Sequence, residues 1–433
     1  MSEAVREEPV RNWAGNVEFR AARVHRPTTL EQLRQVVAGA EAVRVLGTGH
    51  SFNRIADTRG DLVLLHDLPG SVEINAAAGT ATVAAGMRLA EISARLHEAG
   101  YALANLPSLP HISLAGACAT GTHGSGDGNQ NLAAFVRAIR LVDASGDVVE
   151  LSRGVDEDFP GAPVGLGALG VVTHMTVDVQ PTFEVAQYVY EDVALDEVIA
   201  QHEDLYASGY SVSTFTTWGS GRGAVWLKLR ADANGADGAD EGHSGEFAEP
   251  KQAWLGGRLA DRPSHPVPGM PVENCTQQLG VPGPWHERLP HFRPEFTPSS
   301  GAEIQSEFFV PRTAAVGAFE AMRGLGERIA PVVQVSEIRS IAADDLWLSP
   351  AYERDCFALH FTWIADRAAV TPVLAAMEEA LLPRGARPHW GKYFVGGPAA
   401  ALATYERAGD FRRMLDRRDP GGKFRNEFVE RLF

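Results

Sequence analysis

Over the first 180 residues the apolar positions come in short runs broken by turn residues, a pattern of many short strands with a few helices. Leu30-Glu-Gln-Leu-Arg-Gln-Val-Val37 has helical spacing behind the cap candidates Thr28 and Thr29, and Ala42-Val-Arg-Val-Leu46 predicts a strand stopping at Gly47. Leu62–Leu65, Ala81–Ala84, Val136–Val142, Val148–Leu151 and Val171–Val179 predict further strands. Met87–Ala99 predicts a helix closed by Gly100, a residue suited to the left-handed position after a helix. From about residue 181 longer strand and helix patterns with more aromatics predict a second domain. The expected class is α+β.

Two segments break this texture. Residues 231–261 are rich in Asp, Gly, Ala and Glu with few large apolar side chains, which predicts a mobile surface loop. His265–Phe292 carries six prolines beside Met270, Trp285, His286 and Phe292, and is expected to be an ordered loop lying over a pocket.

Strand parity brings out candidate chemistry in the second half. Val333-Gln-Val-Ser-Glu-Ile-Arg-Ser-Ile341 places Val333, Val335, Glu337, Arg339 and Ile341 on one face. Such a Glu-x-Arg element is either an exposed ion pair or a partly buried pair able to orient hydroxyl groups. Gln305 shares a face with Glu303 and Glu307, and His360 shares one with Thr362. Lys392 sits among aromatics in Pro388-His-Trp-Gly-Lys-Tyr-Phe394, where a lone lysine is ordinarily a solvated charge. His360 and His389 read first as core histidines.

Charge narrows the possibilities. The 433 residues include 39 Lys+Arg and 55 Asp+Glu, a net charge of −16, which argues against nucleic acid and anionic membranes as partners. The first residues have no apolar signal region and no stretch approaches 18 apolar residues, so a cytoplasmic protein is expected. Cys118, Cys275 and Cys356 are widely spaced and odd in number, which fits buried thiols rather than a disulfide framework. The histidines show no metal-ligand spacing, so no metal is expected.

Gly165-Leu-Gly-Ala-Leu-Gly170 formally matches the dinucleotide fingerprint but leads into a strand pattern rather than a helix, so a nicotinamide site is not expected. Arg44-Val-Leu-Gly-Thr-Gly-His-Ser-Phe52 and the small-residue run Pro110–Gly126 are each either close-packed turns or parts of a nucleotide cradle. Their joint occurrence favours the cradle.

The set Gly47-Thr-Gly-His-Ser-Phe52, Ser108-Leu-Pro-His-Ile-Ser113, Ala119-Thr-Gly-Thr-His-Gly124 and Leu169-Gly-Val-Val-Thr173 resembles the flavin domain of the vanillyl-alcohol oxidase family, most of all its alditol oxidases. The similarity runs from Asn12-Trp13-Ala-Gly-Asn16 to Asp419-Pro-Gly-Gly-Lys-Phe-Arg-Asn426. The resemblance implies a PCMH-type FAD-binding domain over residues 1–180, an α+β cap with a large antiparallel sheet over 181–400, and a C-terminal segment, 401–433, returning to the first domain. It implies FAD joined covalently through His50, with Val45, Leu46, Gly47, Thr48, Gly49, Ser51, Ser108, Ser113, Gly116, Thr120, Gly121, Thr122, His123, Gly124, Gly170 and Val172 around it. Pro107 would stand at the position that governs oxygen access in related aldonolactone enzymes. Ser108, Gln305, Glu337, Arg339, Thr362 and Lys392 would bind a polyol such as xylitol or sorbitol, with Arg339, Lys392 and Glu337 catalytic. The implied reaction is hydride transfer from a terminal primary alcohol to flavin N5, with O2 reduced to H2O2, in a monomer. An aldonolactone oxidase or dehydrogenase of the same family is the second reading.

Overall fold

The computed structural model describes residues 9–231, 250–297 and 301–433. The first predicted helix forms as its cap implies: the Thr29 hydroxyl accepts from the Gln32 amide, and α1 (Leu30–Gly39) buries Leu33 and Val37. α2 (Leu89–Glu98) buries Leu89, Ile92 and Leu96 and ends before Gly100, whose φ of +85° takes the left-handed position. A third helix, α3 (Leu114–Ala119), lies inside the small-residue run, where no apolar periodicity announced it.

The strands up to residue 181 are β1 (Arg23–His25), β2 (Val43–Leu46), β3 (Asp61–Leu64), β4 (Val72–Asn75), β5 (Thr80–Ala84), β6 (Tyr101–Ala102), β7 (Val136–Val142), β8 (Val148–Ser152), β9 (Val171–Asp178) and β10 (Gln180–Pro181). They form a parallel sheet of order β1-β3-β2, an antiparallel sheet of order β4-β5-β9-β7-β8, and the short pair β10-β6. The Gly165–Gly170 loop runs straight into β9 with no helix after it, which removes the dinucleotide fingerprint reading.

The later strands are β11 (Glu184–Ala194), β12 (Ser211–Thr216), β13 (Arg222–Ala231), β14 (Ala253–Trp254), β15 (Gly257–Leu259), β16 (Gly283–Pro284), β17 (Glu303–Pro311), β18 (Val333–Ile341), β19 (Cys356–Ile364) and β20 (Arg387–Pro388). All join one antiparallel sheet in the order β14-β15-β11-β13-β12-β18-β19-β17-β20, with β16 on β11. Helices Ala315–Gly324 and Arg367–Leu381 cover one face, burying Phe319, Met322, Leu374 and Met377 against Ile304, Phe308, Ile338, Leu359, Phe361 and Trp363. The mixed helices and strands, with this large antiparallel sheet, make the chain α+β. Part of the expected 231–261 loop is a hairpin instead: Trp254 pairs with Gly257, and β15 pairs with β11. Residues 232–249 lie outside the described residues. Among the described residues no helix is long and apolar enough to cross a membrane. The three cysteines are free and buried.

The chain returns to the first sheets at its far end. Phe411, Met414, Leu415, Val429 and Leu432 share one apolar core with Ile92, Ile139 and Met175. Arg44 on β2 ties this end to the loops around it. Its Nη1 donates to the carbonyls of Gly167 (2.8 Å) and Phe424 (2.7 Å), and its Nη2 to those of Leu166 (2.7 Å) and Ile55. Burial pushes this guanidinium down to about 10. Replacing Arg44 with Met would leave the carbonyls of Gly167, Phe424 and Leu166 without their donor, while that of Ile55 keeps Asn426, so equilibrium denaturation of Arg44→Met should show a loss of about 3 kcal/mol or more.

Candidate active site

The pleat of three neighbouring strands builds one wall of a cleft. In the register of β18, β19 and β17, Glu337 pairs with His360 and His360 with Glu307. The adjacent row is Val335, Thr362 and Gln305. Because side chains alternate, these polar positions face the cleft while their apolar neighbours enter the core under the two helices.

Arg339 and Glu337 are 6% and 5% exposed, so the exposed ion-pair reading fails. Arg339 Nη2 donates to Glu307 Oε1 at 2.6 Å and Nη1 to Ser108 Oγ at 3.4 Å, while Nε lies 3.7 Å from Glu337 Oε1. Burial opposes the charge on Arg339, but the two carboxylates outweigh it and hold the guanidinium protonated. Burial would likewise raise both acids, and Arg339, with His123 for Glu307 and His291 for Glu337, holds them well below the usual carboxylate range.

His123 extends this cluster. Its Nδ1 is 2.7 Å from the Gly124 carbonyl and its Nε2 3.1 Å from Glu307 Oε1, so the ring stands between two acceptors. Burial, reinforced by Arg339 and opposed by Glu307, pushes the ring below its ordinary value.

Lys392 Nζ donates to Gln305 Oε1, and Gln305 Nε2 donates to Glu303 Oε1, which together fix the orientation of the Gln305 amide. His360 Nε2 lies 3.2 Å from the same Gln305 oxygen. Burial, reinforced by Arg339 and opposed by Glu307, brings Lys392 down to about 8. Its Nζ also stands 5.0 Å from the centre of the Phe52 ring, so it is not the solvated charge its sequence position suggests.

The facing wall is the turn after β2. Gly49 adopts φ +74°, and its carbonyl accepts from the Trp13 amide at 2.8 Å. The Trp13 ring stacks on His50 with centroids 5.0 Å apart. His50 Nδ1 is 3.0 Å from Thr48 Oγ1, and its buried Nε2 has no hydrogen-bond partner. Burial, with His111 and Lys392 nearby, pushes His50 down to about 3, so the ring is neutral. A Cβ on Gly47 would lie 2.5 Å from Ser113 Oγ, and one on Gly116 would lie 2.9 Å from it. The two glycines thus leave room for the Ser113 hydroxyl between this turn and α3.

The cleft between these walls measures about 1400 Å³ with its open mouth included. Val45, Leu46, Gly47, Thr48, Gly49, His50, Ser51, Ser108, Ser113, Gly116, Thr120, Thr122, His123, Gln305, Glu337, Arg339, Thr362 and Lys392 all line it, as does Pro107. Gly121, Gly124, Gly170 and Val172 do not. Gly124 is held against Asn105 and Leu106, and Gly170 against Leu141 and Val142, where a side chain would collide. Gly121 faces Pro350, and Val172 packs against the apolar core. The expected Pro-rich covering loop contributes Pro266, Val267, His291 and Phe292. His360 and His389, first read as core histidines, line the cleft as well. Glu307 was legible only as a partner in parity to Gln305; His291 gave no signal at all.

The unpartnered His50 nitrogen, the two-glycine cradle and the hydroxyls of Ser113, Thr120 and Thr122 fit a bound flavin dinucleotide. A model described as FAD binding domain matches residues 21–152, and one described as D-arabinono-1,4-lactone oxidase matches residues 302–432. An alditol oxidase from a Streptomyces species is 48% identical over 427 residues, covering 98% of each chain. The L-gulono-1,4-lactone dehydrogenase of Mycobacterium tuberculosis is 27% identical, covering 97% of this chain and 98% of its own. Among solved structures, cholesterol oxidase from B. sterolicum superposes with a TM-score of 0.76 at 14% identity, covering 98% of this chain and 96% of its own. Fold and site thus define an FAD-dependent oxidoreductase. The chain belongs to the alditol oxidase group of the vanillyl-alcohol oxidase (PCMH) flavoprotein family.

Glu307 is the anion shared by Arg339 and His123, so an apolar replacement would take one of two counter-charges from a buried guanidinium. Glu307→Leu should lose about 3–5 kcal/mol in chemical denaturation, and Glu307→Gln distinctly less.

Proposed function

We propose that the enzyme oxidises the terminal primary hydroxyl of polyols such as xylitol and sorbitol to the aldose, reducing O2 to H2O2. The observation that carries this reading is the concentration of carboxylate, amide, hydroxyl, guanidinium and ammonium groups on one face of three strands, opposite the His50 turn. The family relationship and the name of the Streptomyces relative support it. FAD, when bound, supplies the two-electron acceptor that takes hydride from C1 at N5 and passes the electrons to O2. We further propose that His50 carries FAD covalently, which its neutral, unpartnered nitrogen permits.

The protein's own part is aim and electrostatics. Arg339 and Lys392 donate to the C1 oxygen and stabilise alkoxide character as its proton is lost. Glu337 accepts from a neighbouring hydroxyl, and Gln305, Thr362 and Ser108 hold the rest of the chain. Ser108 is already within reach of Arg339, so a hydroxyl bound between them meets donors on both sides. Val335, Phe215 and Phe292 close the apolar side of the cleft and limit water.

A second reading, oxidation of an aldonolactone, is favoured by the match of residues 302–432 to the arabinonolactone oxidase model. Anaerobic visible spectra separate the two: xylitol should bleach the flavin, and a gulono- or galactono-lactone should not. Acid-precipitated protein should stay yellow; a colourless pellet would rule out the covalent bond. Arg339→Ala and Lys392→Ala should each slow bleaching by xylitol by roughly 100-fold or more. Lys392 is an ammonium below about pH 8 and loses its proton above it. The value of kcat should therefore fall as pH rises through about 8, and Lys392→Arg, which keeps its charge, should lack that falling limb.

A further inference from the structure

Behind Glu337 stand two buried groups with no part in the steps above. His291 Nε2 lies 2.7 Å from Glu337 Oε1, and His291 Nδ1 lies 3.1 Å from Lys228 Nζ. Lys228, 1% exposed on β13, also donates to the carbonyls of Leu289 and of Pro290, the latter at 3.4 Å. Three ammonium protons thus meet three acceptors. An ammonium only donates, so His291 Nδ1 must accept, and the ring proton sits on Nε2, aimed at the carboxylate.

The surroundings hold this geometry. The rings of Phe215 and Trp226 pack edge-on to His291 with centroids 5.3 and 5.1 Å away. The amides of His291 and Phe292 both donate to the Ser108 carbonyl, at 3.1 and 3.3 Å. One short stretch therefore grips the Glu337 carboxylate with a side chain and Ser108 with its backbone. Glu337 otherwise faces Arg339 on its own strand and His360 on β19. Burial pushes His291 down to about 4, which keeps the ring neutral and makes it a relay rather than a counter-charge.

We propose that Lys228 and His291 are positioning residues: Lys228 sets the tautomer of His291, and His291 holds Glu337 as an acceptor-only carboxylate turned toward the substrate, so that the relay sets polyol affinity. This rests on the polyol reading of the cleft. Retaining a buried lysine where Met would pack more cheaply fits a role in orientation.

The test combines spectra and kinetics on the holoenzyme. Burial pushes Lys228 down to about 7, so nitrogen-15 histidine spectra at about pH 5.5, where it is an ammonium and His291 is still neutral, should show His291 with its proton on Nε2. The signal is assigned by its loss in His291→Gln. In Lys228→Met the Nδ1-protonated form should grow. Lys228→Met and His291→Leu should raise KM for xylitol by about tenfold while kcat moves less than about threefold. His291→Gln, whose amide can accept from Lys228 and donate to Glu337, should stay within about threefold of wild type in both constants. A wild-type His291 protonated on Nδ1 would overturn the proposal, as would KM values within about twofold of wild type in folded Lys228→Met and His291→Leu. Should Lys228→Met not accumulate as folded protein, His291→Gln against His291→Leu decides. A wild type inert toward xylitol but with the expected histidine spectrum would sink the polyol reading and leave the relay standing.

Discussion

The site depends on keeping one guanidinium out of water. A buried charge of this kind is tolerated only where opposite charges and hydrogen bonds replace its hydration. Arg339 meets that condition through Glu307, Glu337 and Ser108, three residues from two strands and a loop of the first sheets. The two carboxylates reach it only if β18, β19 and β17 hold their register, since a shift of one residue would turn the whole polar row into the apolar core. The large apolar side chains packed under the two covering helices make that shift prohibitive. Core packing on one face of the sheet thus enforces charge placement on the other.

The net charge of −16 gains meaning from this arrangement. A neutral polyol would gain nothing from long-range steering, and the cations such a substrate needs are local ones, fixed at Arg339 and Lys392. The same locality explains how a chain with so many acids can keep Glu307 and Glu337 ionised in a buried site: Arg339 faces both.

Much of this was visible in the chain. The strands β7, β8 and β9 and the helices α1 and α2 follow from alternation, helical spacing, the Thr29 cap and Gly100, because each depends on nearby residues. Parity likewise put Gln305, Glu337 and Arg339 on faces that the structure turns to one cleft. Helix α3 escaped because Leu114–Ala119 is mostly small residues, with too little side chain to show a period. The β14–β15 hairpin escaped because two short strands at a sheet edge leave no pattern against an acidic background. His123, His291 and Lys228 could not be grouped at all: what joins them to Glu307 and Glu337 is sheet order and a long loop, over separations of 46 to 184 residues.

Long connections of this kind converge on the segment His389–Tyr393. The His389 amide bonds to the Glu307 carbonyl and the Tyr393 amide to that of Gln305, while the Gly391 carbonyl accepts from Phe52 and Asn53 holds the carbonyls of Trp390 and Lys392. Five residues thus stitch the edge of β17 to the end of the turn that carries His50. The residues from 408 on, which complete the core of the first sheets, come after this stitch in the chain. On the ribosome, therefore, the first sheets emerge long before their core can close, and they must wait for the entire second sheet to be made.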